Sequence, residues 1–293
     1  MPPPHPVRGA LLCVTALLLF ACMDTTTKYL TERFEVPAIV AARYLGNLVL
    51  MTALLGPTHG RRLVETRRTG LVVVRALCLA AASLFVGLAL QRMPVAETTA
   101  INFLAPILVV VAAGPLLGER IGVLGWLAAL LGFIGVLLIA RPGVALAVSG
   151  VVFALCAVLA GLGYQLLSRV LAATERTAAL LFYTALAGSI VFGLALPWFI
   201  DGRTPTPFEV LLLASLGVYG GLGHFLFTAA FRDAPASLLA PLNYLQLLWA
   251  GLLGWVAFGH VPDRVSLAGM AVIAASGVLV ALKTGRPPPK RTV

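Results

Sequence analysis

The segment QRMPVAETTAINFL, residues 91–104, has a counterpart in RDAPASLLAPLNYL, residues 232–245. The alignment places Pro94 on Pro235 and Asn102 on Asn243. The same offset along the chain pairs further residues of the first half with residues of the second: Gly9 with Gly150, Lys28 with Arg169, and Gly118 with Gly259. A separation that holds over so long a stretch predicts two copies of one structural unit.

The composition indicates a membrane protein. Hydrophobic residues make up 60% of the chain, charged residues only 11%, and the mean hydropathy is +1.00. Soluble domains carry about 25% charged residues. A helix needs about 20 mainly apolar residues to cross a bilayer. The sequence therefore predicts an all-α integral membrane protein, with no room between its spans for a separate soluble domain.

Glycine, proline and charge clusters divide the apolar sequence into ten predicted spans, five in each half. The predicted spans are 9–30, 37–56, 70–90, 94–116, 121–140, 148–170, 177–198, 207–231, 235–258 and 265–283. Because five is odd, the second half enters the membrane upside down relative to the first. Inverted repeats of this kind place a substrate site near the bilayer midplane, between the halves. The pattern therefore favours a transporter with a central cavity.

The net charge of +10 is better explained by the membrane than by nucleic acid, which we do not expect as a partner. With both termini in the cytoplasm, 13 Lys and Arg residues fall on the cytoplasmic side and six outside. Two more, Arg43 and Arg75, fall within spans. Cytoplasmic loops of membrane proteins are enriched in Lys and Arg, and these residues attract anionic lipids. We therefore predict cytoplasmic termini and anionic lipids at that face.

Several segments carry a family resemblance: MDTTTKYL (23–30) at the end of span one, GFIGVLLIARPG (132–143), and SGVLVAL (276–282). With the five-plus-five arrangement, the chain resembles the drug/metabolite transporter (DMT) superfamily, in its bacterial EamA/RhaT-like family. The resemblance implies a multi-pass protein of the bacterial inner membrane. It divides the chain into a cytoplasmic tail (1–8), a first EamA-like repeat (9–143), a second repeat (148–285) and a second cytoplasmic tail (286–293).

The same resemblance implies a secondary transporter that works by alternating access and exports a small polar or amphipathic metabolite, such as an amino acid. S-adenosylmethionine, nucleobases and drugs are alternative substrates in this fold. The sequence contains no Walker loop, HExxH or CxxC motif, so we expect neither an enzyme, nor a cofactor, nor a metal site. A membrane enzyme acting on lipid-linked substrates and a non-transporting scaffold are the competing hypotheses.

Ionisable residues within spans are expensive and are therefore functional candidates. Asp24 is the leading one, with Lys28 four residues on and Arg43 in the next span as candidate partners. An ion pair that joins spans one and two is the structural alternative. Glu97 is a second candidate carrier of a coupling proton, or else a solvated residue at a helix start. Arg75, near the inner end of span three, is expected to extend its side chain to the headgroups.

Polar residues in the other spans complete the set of substrate-binding or coupling candidates. They are Asn102, Tyr164, Gln165, His224, Asn243, Tyr244 and Gln246. Tyr164 and Gln165 occupy the repeat positions of Met23 and Asp24. Tyr244 and Trp249 are candidates to flank an aromatic part of the substrate, although we expect all four tryptophans to face lipid or the interface. A neutral histidine bonded to a carbonyl group, and helix–helix hydrogen bonds, are the structural alternatives.

Two features bear on helix geometry and assembly. Pro106 and Pro241 are expected to kink spans four and nine, which frees carbonyl groups that can line a cavity. The GxxxG pairs 114/118 and 217/221 allow close helix packing, either within the chain or across a homodimer.

Overall fold

The structure is a computed structural model that describes residues 6–117, 123–141, 146–172, 174–200, 202–234, 239 and 242–284. These residues form helices and connections and contain no strand. The first half holds α1 (Pro6–Leu30), α2 (Val36–His59), α3 (Thr69–Arg92), α4 (Val95–Asn102), α5 (Leu104–Leu117) and α6 (Val123–Ala140). The second holds α7 (Val148–Leu171), α8 (Thr177–Ala195), α9 (Pro207–Asp233), α10 (Leu245–Phe258) and α11 (Arg264–Thr284).

Six of these helices are long and apolar enough to cross a bilayer: α1, α2, α3, α7, α8 and α9. The remaining predicted spans correspond to shorter apolar helices, among them 126–139 within α6 and 264–276 within α11. The prediction of an all-helical, multi-pass membrane protein is confirmed.

Two predicted boundaries change. The cytoplasmic tail was expected to reach residue 8, but α1 begins at Pro6. Proline fits the first turn of a helix because that turn has no partner for its missing N–H. Predicted span four is broken at Phe103 into α4 and α5. Pro106 explains the break, since it has no N–H to donate to the carbonyl group of Asn102. Pro241, the second predicted kink, lies outside the described residues.

Two long helix contacts occupy matching positions in the two halves. Helix α1 packs along α9, and α7 packs along α3. A Cβ atom added at Gly9 would lie 2.5 Å from the Cβ atom of Ala234, and one added at Gly150 would meet the side chain of Met93. Gly9 and Gly150 are repeat mates, and Met93 and Ala234 are related by the same offset. The offset found in the sequence therefore also relates these two contacts between helices.

The directions of the helices follow from hydrogen bonds between their ends. Lys28, near the end of α1, donates from Nζ to the carbonyl oxygens of Leu90 and Met93 at the end of α3, each at 2.9 Å. Helices α1 and α3 therefore run in the same direction. Arg75, near the start of α3, bonds to Tyr164 and Ser168 near the end of α7. Helix α7 consequently runs opposite to α3 and to α1.

Helix α2 packs against both α8 and α9. The backbones of Gly46 and Gly217 approach so closely that a Cβ atom at Gly46 would lie 3.1 Å from the Cα atom of Gly217. A Cβ atom at Gly221 would lie 2.8 Å from the amide oxygen of Asn47. The 217/221 pair thus serves packing within the chain. Gly118, of the other pair, lies outside the described residues.

The helix bundle has two ends, which we call the amino-terminal face and the opposite face. At the amino-terminal face, where α1 begins, the Glu175 carboxylate accepts backbone N–H bonds from Arg67 and Arg68, each at 2.9 Å. At the opposite face, Glu209 lies within 3.3 Å of Arg33 and 2.9 Å of Arg203. Buried carboxylates therefore connect different segments of the chain at both ends of the bundle.

Candidate functional site

A cavity of about 630 Å³ lies between the two halves. Its lining comes from both of them, with Asp24 on α1 and Arg43 on α2 across from Tyr164 on α7 and His224 on α9. Eight of the eleven residues proposed from the sequence line it: Asp24, Arg43, Asn102, Tyr164, Gln165, His224, Asn243 and Gln246. Lys28, Glu97 and Tyr244 do not line it. The structure thus gathers most of the candidates from separate helices into one chamber.

Asp24 is the one acidic side chain among the described residues that line this cavity. Within the described part of the chain, its carboxylate makes no hydrogen bond or salt bridge, and its electrostatic partner is Arg43 on the neighbouring helix. The predicted pairing with Lys28 is wrong, because Lys28 Nζ bonds to the Leu90 and Met93 carbonyl groups instead. A carboxylate without a direct partner is available to a ligand or a proton.

Arg75 departs furthest from its prediction. It does not extend to the headgroups but lines the cavity with only 5% of its surface exposed. Its Nε donates to Ser168 Oγ at 2.6 Å, its Nη1 to Thr184 Oγ1 at 3.0 Å and its Nη2 to the Tyr164 hydroxyl at 2.9 Å. These acceptors lie on α7 and α8, which hold the guanidinium inside the bundle. The predicted extension of Arg75 to the headgroups is wrong, because these acceptors hold its side chain inside the bundle.

A second arginine and a histidine also line the cavity. Arg43 lines the cavity, and its guanidinium carbon lies 5.3 Å from the centre of the Tyr44 ring. The His224 ring lies within electrostatic range of both Arg43 and Arg75. Among the described residues, no side chain or carbonyl group forms a hydrogen bond with the ring nitrogens of His224, so the structural alternative of a carbonyl-bonded histidine is wrong.

One wall of the cavity is aromatic. Phe20 on α1 lies 4.9 Å from the His224 ring and 6.1 Å from Phe227, measured between ring centres. Phe231 continues the wall, with its ring 5.3 Å from that of Phe227 and close to perpendicular to it. All four side chains line the cavity. The three phenylalanines were not among the sequence candidates, because nothing separates them from the other apolar residues of their spans.

Side-chain amides make up another part of the lining. Asn102 ends α4, Gln165 lies in α7, and Asn243 and Gln246 lie at the start of α10. Asn243 accepts a weak hydrogen bond from the thiol of Cys13, with an S···O distance of 3.7 Å. Each amide both donates and accepts hydrogen bonds. The cavity therefore combines an aromatic wall with groups suited to the polar edge of a ring.

Glu97 lies at the opposite face and not in the cavity. Its Oε1 is 3.0 Å from Nε2 of His260, and its side chain is almost completely buried. The expectation of a solvated residue at a helix start is therefore wrong. The contact joins the start of α4 to the segment after α10. The contact between Glu97 and His260 and the bonds from Lys28 to the end of α3 together connect the helices at this face.

Tyr244 also lies away from the cavity. Its ring packs 5.1 Å from that of Phe103, and it lines a separate apolar groove next to Leu247 and Met270. Trp249 packs in a cluster with Cys13 and its neighbours on α1 and α9, instead of facing lipid. The other three tryptophans, Trp126, Trp198 and Trp255, are more than half exposed, as a position against lipid or the interface requires.

The cavity extends toward one face of the bundle. Its lining reaches Thr177, the first residue of α8, and Phe231 in the last turn of α9, both at the amino-terminal face. In the other direction its lining ends near Val86 and Asn102. Beyond them lie the bonds that Lys28 makes to the end of α3. The lining of the chamber therefore extends toward the amino-terminal face, and bonds between helices lie between the chamber and the opposite face.

The EamA-like transporter family model matches this chain twice, over residues 7–141 and 148–282. The chain belongs to the EamA-like transporter family. A solved crystal structure that is 22% identical superposes with a TM-score of 0.68 over 95% of this chain and 99% of that one, which shows the shared fold. The resemblance drawn from the sequence motifs is confirmed.

Three named transporters are similar to this chain over most of its length. The riboflavin transporter of Vibrio cholerae is 27% identical over 93% of this chain and 92% of its own length. The riboflavin transporter of Brucella anthropi is 28% identical over 90% and 95%. The S-adenosylmethionine uptake transporter of Rickettsia prowazekii is 24% identical over 94% and 92%. These names support a small-molecule transporter and lend no support to the expected export of an amino acid.

Proposed function

We propose that this EamA-like protein is a secondary transporter with ten membrane spans in two inverted five-helix repeats, and that the central cavity is its substrate site. The opposite directions of α1 and α7 support the inversion. The matching contacts of Gly9 with Ala234 and of Gly150 with Met93 support the repeat. Rocking one half against the other would then expose the cavity to each side in turn.

The amino-terminal face is assigned to the cytoplasm, in the bacterial inner membrane. Exposed arginines between α2 and α3, such as Arg61 and Arg62, give this face the positive charge of a cytoplasmic surface that contacts anionic lipids. We infer that the cavity is open to the inside of the cell. Opening to the outside requires separation of the contacts that Lys28 and Glu97 make at the opposite face.

The substrate we propose is a heteroaromatic metabolite of the flavin or nucleoside kind. The single observation that carries this choice is the aromatic wall of Phe20, Phe227 and Phe231, which shares one cavity with the amides of Asn102 and Gln165. Aromatic side chains stack on a flat ring, while amides bond to its polar edge. The named relatives carry molecules of this kind, one a flavin and the other an adenosine derivative.

Flux into proteoliposomes tests the proposal. Labelled riboflavin, S-adenosylmethionine and an amino acid are offered to vesicles that contain the purified protein, with and without an imposed pH gradient. We expect protein-dependent uptake of at least one heteroaromatic compound and none of the amino acid. Absence of protein-dependent flux for every heteroaromatic compound would contradict the proposed function.

A matched pair of variants connects the flux to the cavity. Asp24→Asn removes the charge of the cavity's carboxylate, and Glu32→Gln removes an exposed charge just after the end of the same helix. We expect Asp24→Asn to lower the flux about 10-fold or more, since buried charged groups contribute about 1.5–3 kcal/mol to a hydrogen-bonded contact. Glu32→Gln should retain wild-type flux. Equal flux in both variants would exclude Asp24 from the site.

A further inference from the structure

The guanidinium of Arg75, which lines the cavity, has a donor that no described residue accepts. Its three nitrogens carry five N–H groups. They form four bonds, to Ser168 Oγ, Thr184 Oγ1, the Leu180 carbonyl oxygen and the Tyr164 hydroxyl, at 2.6 to 3.2 Å. Nη2 forms one of these bonds and therefore has a second N–H that no described residue accepts. The Tyr164 hydroxyl accepts from Arg75, and no described residue accepts its own O–H.

The charge of Arg75 is not neutralised by the protein around it. All four of its acceptors are neutral, and no carboxylate in the described residues forms a salt bridge with it. A buried charge without a counter-ion is costly, so a cation in this position needs a reason. The second cavity arginine, Arg43, likewise forms no salt bridge with any described residue. Among the described residues of the lining, Asp24 supplies the single negative charge against these two positive ones.

The other half of the molecule shows that helix packing does not require this cation. The repeat mates of Arg75 and Tyr164 are Leu216 and Met23, related by the offset that pairs Pro94 with Pro235. Leu216 and Met23 pack in one apolar cluster between α9 and α1. The contact between α3 and α7 therefore contains a polar pair at the positions where the contact between α9 and α1 contains an apolar pair. An apolar pair is thus sufficient for helix packing at these positions. The positive charge of Arg75 therefore remains available to bind an anionic ligand.

We propose that Arg75 and Tyr164, with Arg43 nearby, bind an oxyanion of the substrate, either a carboxylate or a phosphate group. The Nη2–H of Arg75 and the O–H of Tyr164 are the two donors, both positioned by the contacts that already hold the guanidinium. The preferred substrate is then a heteroaromatic metabolite that carries such an anionic group. This inference rests on the proposed function, since it assigns a subsite within the same cavity.

Two matched ligand pairs test it on purified full-length protein. Riboflavin and riboflavin 5′-phosphate differ by one phosphate group, and S-adenosylmethionine and its decarboxylated form differ by one carboxylate. We expect the member with the oxyanion to bind about 10-fold tighter or more in at least one pair, as charge-assisted hydrogen bonds predict. The pair that shows this preference identifies the source of the oxyanion.

Three variants assign the preference to the subsite. Arg75→Gln should reduce the ratio of affinities within that pair to near one, and Tyr164→Phe should reduce it several-fold while Arg75 keeps its other bonds. Arg61→Gln, which removes an exposed arginine from the amino-terminal face, should leave the ratio unchanged. Tyr164→Phe keeps the test decisive if Arg75→Gln fails to fold, because it removes only one hydroxyl group.

The failures of the inference and of the proposed function are distinguishable. If riboflavin or S-adenosylmethionine is bound and transported, but neither oxyanion is preferred, the subsite is wrong and the transporter stands. A preference that survives both Arg75→Gln and Tyr164→Phe also overturns the subsite. If none of the four compounds is bound or transported, both proposals fail together.

Discussion

The contact between α3 and α7 resembles the contact between α1 and α9 in its close helix approach but differs from it in its side chains. Each brings a glycine of one helix close to its partner, Gly150 in the first case and Gly9 in the second. At matching positions along these contacts, Arg75 bonds to Tyr164, whereas Leu216 packs with Met23. The two contacts therefore share their helix packing and differ in their chemistry.

This difference shows that helix packing and substrate binding place separate requirements on the sequence. Small residues at helix contacts set the distance between backbones, and both halves meet that demand. A binding site for an asymmetric small molecule needs unlike groups on its sides, which the repeat by itself does not provide. The pair Asp24 and Gln165 shows the same divergence, since these repeat mates both line the cavity but only one is charged.

The largest effect is expected when the polar contact is converted into a copy of the apolar one. The double substitution Arg75→Leu with Tyr164→Met should lower transport by about 100-fold, since it removes two strong hydrogen-bond donors from the cavity. The melting temperature in detergent should stay level or rise, because replacing a buried charged group with well-packed apolar groups is often neutral or stabilising by about 1–4 kcal/mol.

The single substitutions complete this comparison. Arg75→Leu alone leaves the partly buried hydroxyl of Tyr164 without its donor and should lower the melting temperature relative to the double variant, which has no such hydroxyl. Met23→Leu, in the apolar contact, is the control and should change neither transport nor stability by much. A double variant with wild-type transport would show that the polar pair serves the fold alone.

A smaller effect should distinguish the two glycine contacts. Gly9→Ala brings a Cβ atom against Ala234 and the backbone oxygen of Ala230, which cannot move aside. Gly150→Ala brings one against the flexible side chain of Met93. Overpacking costs about 1–3 kcal/mol where neighbours are fixed, so Gly9→Ala should lower the melting temperature more than Gly150→Ala. The reverse order would contradict the assignment of the fixed neighbours to Gly9 and of the flexible neighbour to Gly150.

Asn102 and Asn243 offer a third comparison, between repeat mates that both line the cavity. Alanine at either position should weaken binding of the transported substrate about 5-fold, as expected for a hydrogen bond worth about 1 kcal/mol. Asn243→Ala should also lower the melting temperature slightly, because it removes the acceptor for Cys13. Binding and thermal unfolding measured on the same preparations separate the two effects. Unchanged affinity in both variants would exclude these amides from the site.

The smallest effect is expected at the opposite face, outside the membrane. The hydrogen bond from Arg141, aided by the backbone N–H of Ser266, lowers the pKa of Asp263 to about 2. Because this pKa lies below the value of about 3.9 in the unfolded chain, the ionised carboxylate stabilises the fold at pH values above about 3.9. The stabilisation is lost as the pH falls toward about 2. Asp263→Asn should therefore lower the melting temperature slightly at pH 7.

The pH dependence is the check on this last prediction. The difference between wild type and Asp263→Asn should shrink below about pH 4, where the wild-type carboxylate begins to gain its proton in the unfolded chain. A difference that stays constant down to about pH 3 would exclude the ionised pair as its cause.

Much of the fold was predictable because its signals are repeated along the chain. Apolar runs located the helices, and the constant offset between repeat mates located the halves. Pro106 predicted the break at Phe103, since a missing N–H is a local property of the sequence. The start of α1 was misplaced because the proline-rich first residues gave Pro6 the character of a flexible tail, although proline suits a first helical turn.

The site was predictable where polarity alone identifies a residue. Asp24 and His224 stand out in apolar spans, and both line the cavity. The partner of a side chain is a different question, because it depends on how helices pack. Lys28 lies one turn from Asp24 on the same helix, yet it bonds to carbonyl groups of α3. Phe20 carried no signal, since its role depends on the ring of His224 opposite it.

Accessibility of a cysteine at position 165 tests the central claim most directly. The four native cysteines are replaced by alanine, Gln165→Cys is introduced, and a membrane-impermeant thiol reagent is applied from each side in turn. We predict labelling from the amino-terminal side and protection when the transported substrate is added. Labelling should also occur from the other side once the protein turns over. A residue at position 165 that no reagent reaches from either side, or whose labelling substrate leaves unchanged, would contradict a water-filled substrate cavity between the two halves.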